Sequence, residues 1–188
     1  MEAYTLEYYQ AINREEAPQA QALAQAITEI YHPRSVIDLG CGTGLYLEPF
    51  DCAKRGIDIS LEAFQPEVCH AADCLCYGDL SQPIEYLQKY DLALCLEVVE
   101  HIGSEHADTL VDNICRASDT TVMTAAPPGQ AGLTHVNCQP QAYWEAKFAA
   151  HGFRRDYHDE YQLVSRVAQV PHTVWIIRNL MVFRAHAR

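Results

Sequence analysis

V-I-D-L-G-C-G-T-G, Val36 to Gly44, decides the fold. The short apolar run reads as a buried parallel strand, and Gly40, Gly42 and Gly44 follow at every second position. Glycine lets a chain leave a strand in a tight turn and brings backbone close to a ligand. The spacing excludes two familiar ligands. A dinucleotide fingerprint needs G-x-G-x-x-G, yet counting from Gly40 or from Gly42 puts Leu45 or Leu47 at the last position. No lysine follows to complete a phosphate-binding P-loop.

On either side of this stretch, helices and strands alternate. Gln19 to Tyr31 reads as a helix with Leu23, Ala26, Ile27 and Ile30 on one face, ended by His32-Pro33. Strands are expected at Ser35–Leu39, Arg55–Ile59, Cys74–Tyr77, Asp91–Leu96, Thr120–Ala125, Phe153–Tyr157 and Leu180–Arg184. A short helix from Leu45 to Phe50, a helix Glu105–Arg116 and a helix Gln141–His151 stopped by Gly152 fill the gaps. The stretch from Leu163 to Asn179 is expected to be helix broken near Pro171. This alternation implies an α/β sheet, mostly parallel, whose ligands sit beyond the carboxyl ends of the strands. Polar residues cluster at those ends: Asp38 to Gly44, Asp58, Asp79, Glu97 to His101, and the loop Pro127 to Asn137.

Composition narrows the function. The 188 residues suit one domain with a single core, and no apolar run is long enough to span a bilayer. The N-terminus lacks the basic start and apolar run of a signal peptide, so a cytoplasmic location is expected. The eight cysteines form no C-x-x-C pair and read as free thiols, several buried as small apolar groups. Cys41, inside the glycine loop, is a minority candidate for a reactive thiol. A net charge of −12 disfavours nucleic acid. Within the polar clusters, the Asp58 carboxylate offers two acceptors in a fork, which suits the two hydroxyls of a ribose; the alternative is that it caps the next helix. Glu97, Glu100 and His101 crowd the exit of the fourth strand, where either residue type could take a proton.

Three segments in order carry a family resemblance: D-L-G-C-G-T-G; Tyr90 to Ile102, Y-D-L-A-L-C-L-E-V-V-E-H-I; and the loop Ala125 to Trp144, with its P-G-Q turn and H-V-N. Together they resemble class I S-adenosylmethionine (SAM)-dependent methyltransferases over about Ser35 to Phe153. The resemblance implies a Rossmann-like, doubly wound sheet of seven strands with the last antiparallel and helices on both faces. It implies one domain over 1–188, with 1–33 a helical cap and 34–188 the catalytic core; Tyr4, Tyr8 and Tyr9 would either serve as a lid or pack on the sheet. It implies SAM held by Asp38, Gly40, Cys41, Gly42, Gly44, Asp58, Ile59, Asp79, Leu80 and Glu97, leaving S-adenosylhomocysteine (SAH). It implies a small-molecule acceptor beside His135, Asn137, Tyr143 and Trp144, with His135, His101 and Glu97 as catalytic candidates; the alternative for His135 is a hydrogen bond to backbone that pins the loop.

The E-V-x-E-H segment is similar to that of ubiquinone-biosynthesis O-methyltransferases. Small-RNA 2′-O-methyltransferases use a similar set to hold a divalent metal, which makes Glu97, Glu100, His101 and His135 a minority metal alternative. The expected activity is methyl transfer to an oxygen or nitrogen of a small polar acceptor, without membrane or nucleic-acid partners. A non-catalytic SAM-binding module is the competing class.

Overall fold

In the computed structural model, which describes residues 4–170 and 174–186, seven strands form one sheet. They are β1 (Ser35–Leu39), β2 (Ala53–Asp58), β3 (Leu75–Tyr77), β4 (Leu92–Cys95), β5 (Thr120–Thr124), β6 (Phe153–Arg155) and β7 (Leu180–Ala185), in spatial order β3-β2-β1-β4-β5-β7-β6. The pairs from β3 through β5 are all parallel; β7 lies antiparallel between β5 and β6. The Rossmann-like expectation holds, including the antiparallel last strand.

Among the described residues, five α-helices cover the sheet: α1 (Leu6–Tyr31), α2 (Ala107–Ala117), α3 (Gln141–Ala150), α4 (Tyr157–Val167) and α5 (Val174–Asn179). The alternation of strand side chains sorts them onto two faces. Ile37, Leu39, Ala93, Cys95, Met123, Met181 and Phe183 pack with Leu110, Val111 and Ile114 of α2 and Trp144 and Phe148 of α3. Their neighbours Val36, Leu92, Leu94, Val122 and Val182 face Leu23 and Ile27 of α1, Leu163 of α4 and Ile176 of α5.

Two helical expectations change. α1 starts at Leu6 rather than Gln19 and runs through Pro18. Thr5 caps it by accepting the Tyr8 N–H, and Asn13 anchors its first half by donating to the Val68 carbonyl at 2.7 Å and accepting from Thr43 Oγ1 at 2.7 Å. The Asn13 contacts are tertiary, and they offset the helix-breaking tendency of proline. Conversely, the segment 45–50 forms turns, not a helix. Lys54 Nζ donates to the carbonyls of Glu48 and Phe50, meeting acceptors that a further helical turn would have used. α4 and α5 flank the expected break near Pro171, which lies outside the described residues. No helix among the described residues is long and apolar enough to cross a membrane.

Candidate active site

The strand order reverses between β1 and β4, and such a switch point opens a crevice at the carboxyl ends of the strands. A cavity of about 930 Å³ lies there. Tyr4, just ahead of α1, and Tyr8, Tyr9 and Glu16 of α1 line it.

The glycine loop forms one wall. The N–H groups of Gly40 and Cys41 both donate to the Ile57 carbonyl, at 2.8 and 3.1 Å, tying the loop to β2. Gly40 has φ +87°, and a β-carbon there would stand 2.3 Å from Val98 Cγ2. Asp58 braces the same loop: Oδ2 accepts the Gly42 N–H at 2.7 Å and Oδ1 the Ser60 N–H at 2.8 Å. Each oxygen keeps a further lone pair for a ligand. Asp38 is buried, with Oδ1 unpartnered, and burial, helped by Asp58, pushes its carboxyl up to about 7. Burial also raises the Cys41 thiol well above its ordinary value, so the reactive-thiol alternative is not supported. Gly44 does not line the cavity; a β-carbon there would press on Ala71 and Leu75.

The loop after β3 closes the far end. Asp79 Oδ1 accepts the Ser81 N–H at 2.9 Å, and Leu80 is buried against the core. Ile59, Asp79 and Leu80 all line the cavity. Asn113 of α2, which the sequence did not single out, organises this loop by donating to the carbonyls of Leu80 and Gln82 and accepting the Ile84 N–H. A lone asparagine within the apolar stripe Leu110–Cys115 was its only trace.

Beyond β4, Glu97 takes φ +53° and donates its N–H to Thr124 Oγ1 at 2.7 Å. Glu100 is fully buried beneath the loop 125–140: its carbonyl accepts the N–H groups of Val136 and Asn137, and Oε1 accepts the Ala126 N–H at 3.3 Å. Burial, then the Glu97 charge, holds its carboxyl well above the ordinary range. His101 Nδ1 lies 3.2 Å from Tyr4 Oη and 3.1 Å from Thr134 Oγ1, and its ring meets that of His135 at 4.9 Å between centroids. Burial and His135 lower the His101 pKa, favouring the neutral ring that can accept a proton. Glu100, His101 and His135 each place a potential ligand atom within 4.8 Å of the others; Glu97 stands outside that trio.

Of the residues expected at the acceptor, only His135 lines the cavity. Trp144 is fully buried in the core, Tyr143 packs on its ring at 5.0 Å, and Asn137 is buried with its N–H on the Glu100 carbonyl. These three are corrected to framework positions: α3 turns its aromatic side into the sheet, so the pair that reads as a pocket supports it from behind. The cavity instead presents Glu16, Tyr46 and Trp175, with Tyr46 Oη donating to Glu16 at 3.0 Å. Burial pushes the Glu16 carboxyl up to about 7.

Asp38, Glu16 and Glu100 are therefore held protonated above the carboxylate range of an unfolded chain. Such groups contribute stability that is full below the unfolded pKa and is lost as pH rises through the folded value. The ligand-free protein is expected to melt at a lower temperature at pH 8.5 than at pH 5.5. A melting temperature that rises over this interval would show that these acids are not desolvated.

No protein-family model matches the chain. It is 30% identical over 107 residues to the magnesium-protoporphyrin O-methyltransferase of Synechocystis, covering 53% of this chain and 46% of that enzyme. It is 29% identical over 133 residues to the ubiquinone biosynthesis O-methyltransferase of Rickettsia felis, covering 64% and 50%. The chain thus matches about half the length of these curated relatives. Among solved structures, Streptomyces venezuelae DesVI superposes with TM-score 0.68 at 16% identity, covering 91% of this chain and 92% of that one. The Synechocystis magnesium protoporphyrin IX methyltransferase, solved with bound SAH, gives TM-score 0.62 at 19% identity, covering 89% and 82%. At these identities the structures establish a shared fold.

Proposed function

We propose, on the premise that the chain belongs to the class I SAM-dependent methyltransferases, that it binds SAM across the ends of β1 to β4 and transfers its methyl group to an oxygen or nitrogen of a small polar acceptor. The observation that carries this is the Asp58–glycine-loop unit opening onto a cavity large enough for a cofactor and a second molecule. Asp58 would take the ribose hydroxyls; Ile59, Asp79 and Leu80 would flank the adenine. Asp38, Gly40, Gly42 and Glu97 would face the methionine end, where carboxyl oxygens can accept hydrogen bonds from the ligand's ammonium group.

SAM supplies a methyl group already activated by its sulfonium. What remains for the protein is alignment and exclusion of water, and alignment alone can be worth roughly 7–11 kcal/mol. His135, packed against the His101 ring, would receive the acceptor's proton. Among the described residues lining the cavity there is no Lys or Arg. A neutral or cationic acceptor fits that lining; a phosphorylated one does not, and an RNA backbone least of all.

The test has two arms. Calorimetric titration with SAH should show binding, and labelled SAM incubated with a metabolite extract should yield a labelled small molecule. Binding without transfer would favour a non-catalytic module. His135→Ala is expected to leave SAH affinity near normal and to slow methyl transfer by ~10²–10⁴-fold, the usual worth of a general base. Loss of SAH binding in that variant would contradict an acceptor-side role.

The Glu100–His101–His135 trio supports a second reading, in which a divalent ion assists the transfer. Two imidazoles with a carboxylate suit manganese or zinc better than magnesium. That reading expects EDTA to abolish transfer and Mn²⁺ or Zn²⁺ to restore it; the first expects EDTA to leave the rate unchanged.

A further inference from the structure

Asn179, the last residue of α5, is fully buried where α5 passes into β7. Its amide nitrogen donates to two different elements: to Glu97 Oε1 at 3.2 Å and to Gln130 Oε1 at 3.1 Å. Glu97 stands at the exit of β4 in a left-handed backbone conformation. Gln130 belongs to the loop 125–140, and its carbonyl lies 3.3 Å from His135 Nδ1. The two partners line the same cavity, whereas Asn179 itself does not. We infer that Asn179 is a positioning residue, a bolt that ties the cofactor-side carboxylate of Glu97 to the acceptor loop through Gln130.

The chemistry of the side chain fits this task. A primary amide is uncharged and carries two N–H donors, so it can serve two acceptors at once. An aspartate would turn an acceptor toward the Glu97 carboxylate, and a leucine would leave both oxygens without a partner. Buried polar groups that share one network stand or fall together. Contact with a cofactor at Glu97 therefore reaches the loop that carries Thr134 and His135. That last step rests on the proposed SAM binding; the bolt itself does not.

The amides of Val136 and Asn137, both bonded to the Glu100 carbonyl, report on the loop. Hydrogen exchange followed by mass spectrometry or NMR on the full chain, with and without SAH, tests the proposal. Asn179→Ala is expected to speed exchange at Val136 and Asn137 ~10-fold in the ligand-free protein, leaving β1 and α2 amides unchanged. SAH should protect the two amides in the unmodified protein and fail to do so in the variant. Gln130→Ala, which removes the same bond from the half-exposed side, should speed the same amides, and adding Asn179→Ala to it should give no further increase at them.

The proposal is overturned if either substitution leaves the ligand-free loop amides unmoved, or if the two effects at the loop simply add. It is also overturned if exchange rises evenly through the core, which is what a packing role alone would give. If Asn179→Ala does not fold, Gln130→Ala decides by the same ligand-free amides. Failure of the unmodified protein to bind SAH would remove the methyltransferase proposal and the cofactor arm, while the ligand-free exchange would still judge the bolt.

Discussion

Alanine at position 58 is expected to abolish detectable SAM binding. Asp58 lines the cavity at the end of β2 and accepts backbone N–H groups from Gly42 and Ser60. Its loss removes the fork proposed for the ribose hydroxyls and frees the glycine loop at Gly42. Hydrogen bonds to a charged group contribute about 1.5–3 kcal/mol each. Two of them lost from the ligand correspond to roughly 10²–10⁴-fold weaker binding, before any cost of reordering the loop. Asp58→Asn keeps the shape and one acceptor, and should fall between. Calorimetric titration of both variants with SAM or SAH measures this directly; unchanged affinity in Asp58→Ala would falsify the ribose assignment.

Gly40→Ala is expected to be the most damaging single change for the fold of the site. The residue sits at φ +87°, and its new β-carbon would stand 2.3 Å from Val98 Cγ2 and 2.8 Å from Cγ1. The left-handed backbone costs an L-residue roughly 1–2 kcal/mol. Forcing a methyl group into a filled space adds about 1–3 kcal/mol. For a domain of this size the sum corresponds to a melting-temperature loss of roughly 4–20 °C. The steric part has a specific partner, so Val98→Ala in the same chain should recover some of the loss and leave the backbone part. No recovery in the double variant would mean that Val98 is not what crowds this glycine.

Both changes act on a region that local sequence describes well. The strand and its glycine turn are consecutive residues, and their roles depend mostly on neighbours in the chain. Mistakes arose where a residue's surroundings come from elsewhere. Tyr143 and Trp144 read as part of the acceptor site because the loop they follow resembles a family segment that ends in an aromatic pair. In the fold, α3 must cover the sheet, and Trp144 and Phe148 are what it has to bury. The helix expected over Leu45–Phe50 failed for the same reason in reverse: α1, distant in sequence, covers that face of the sheet, with Leu23 and Ile27 in the same core cluster as Leu47 and Phe50.

From its own residues the chain specified the strand–helix alternation, the parallel sheet, the glycine turn after β1 and the acids at the strand ends. Each of these is a periodicity or a local steric demand, written within a few consecutive positions. Tertiary structure alone decided that Glu16, Tyr46 and Trp175 join the cavity. It also decided that Glu100 disappears beneath the loop 125–140 and that Asn179 bridges Glu97 and Gln130 across separations of 82 and 49 residues. Such groups become neighbours only when the sheet order reverses between β1 and β4 and the antiparallel β7 brings the last part of the chain back beside β5. No local pattern encodes that proximity; it follows from packing the whole chain around one sheet.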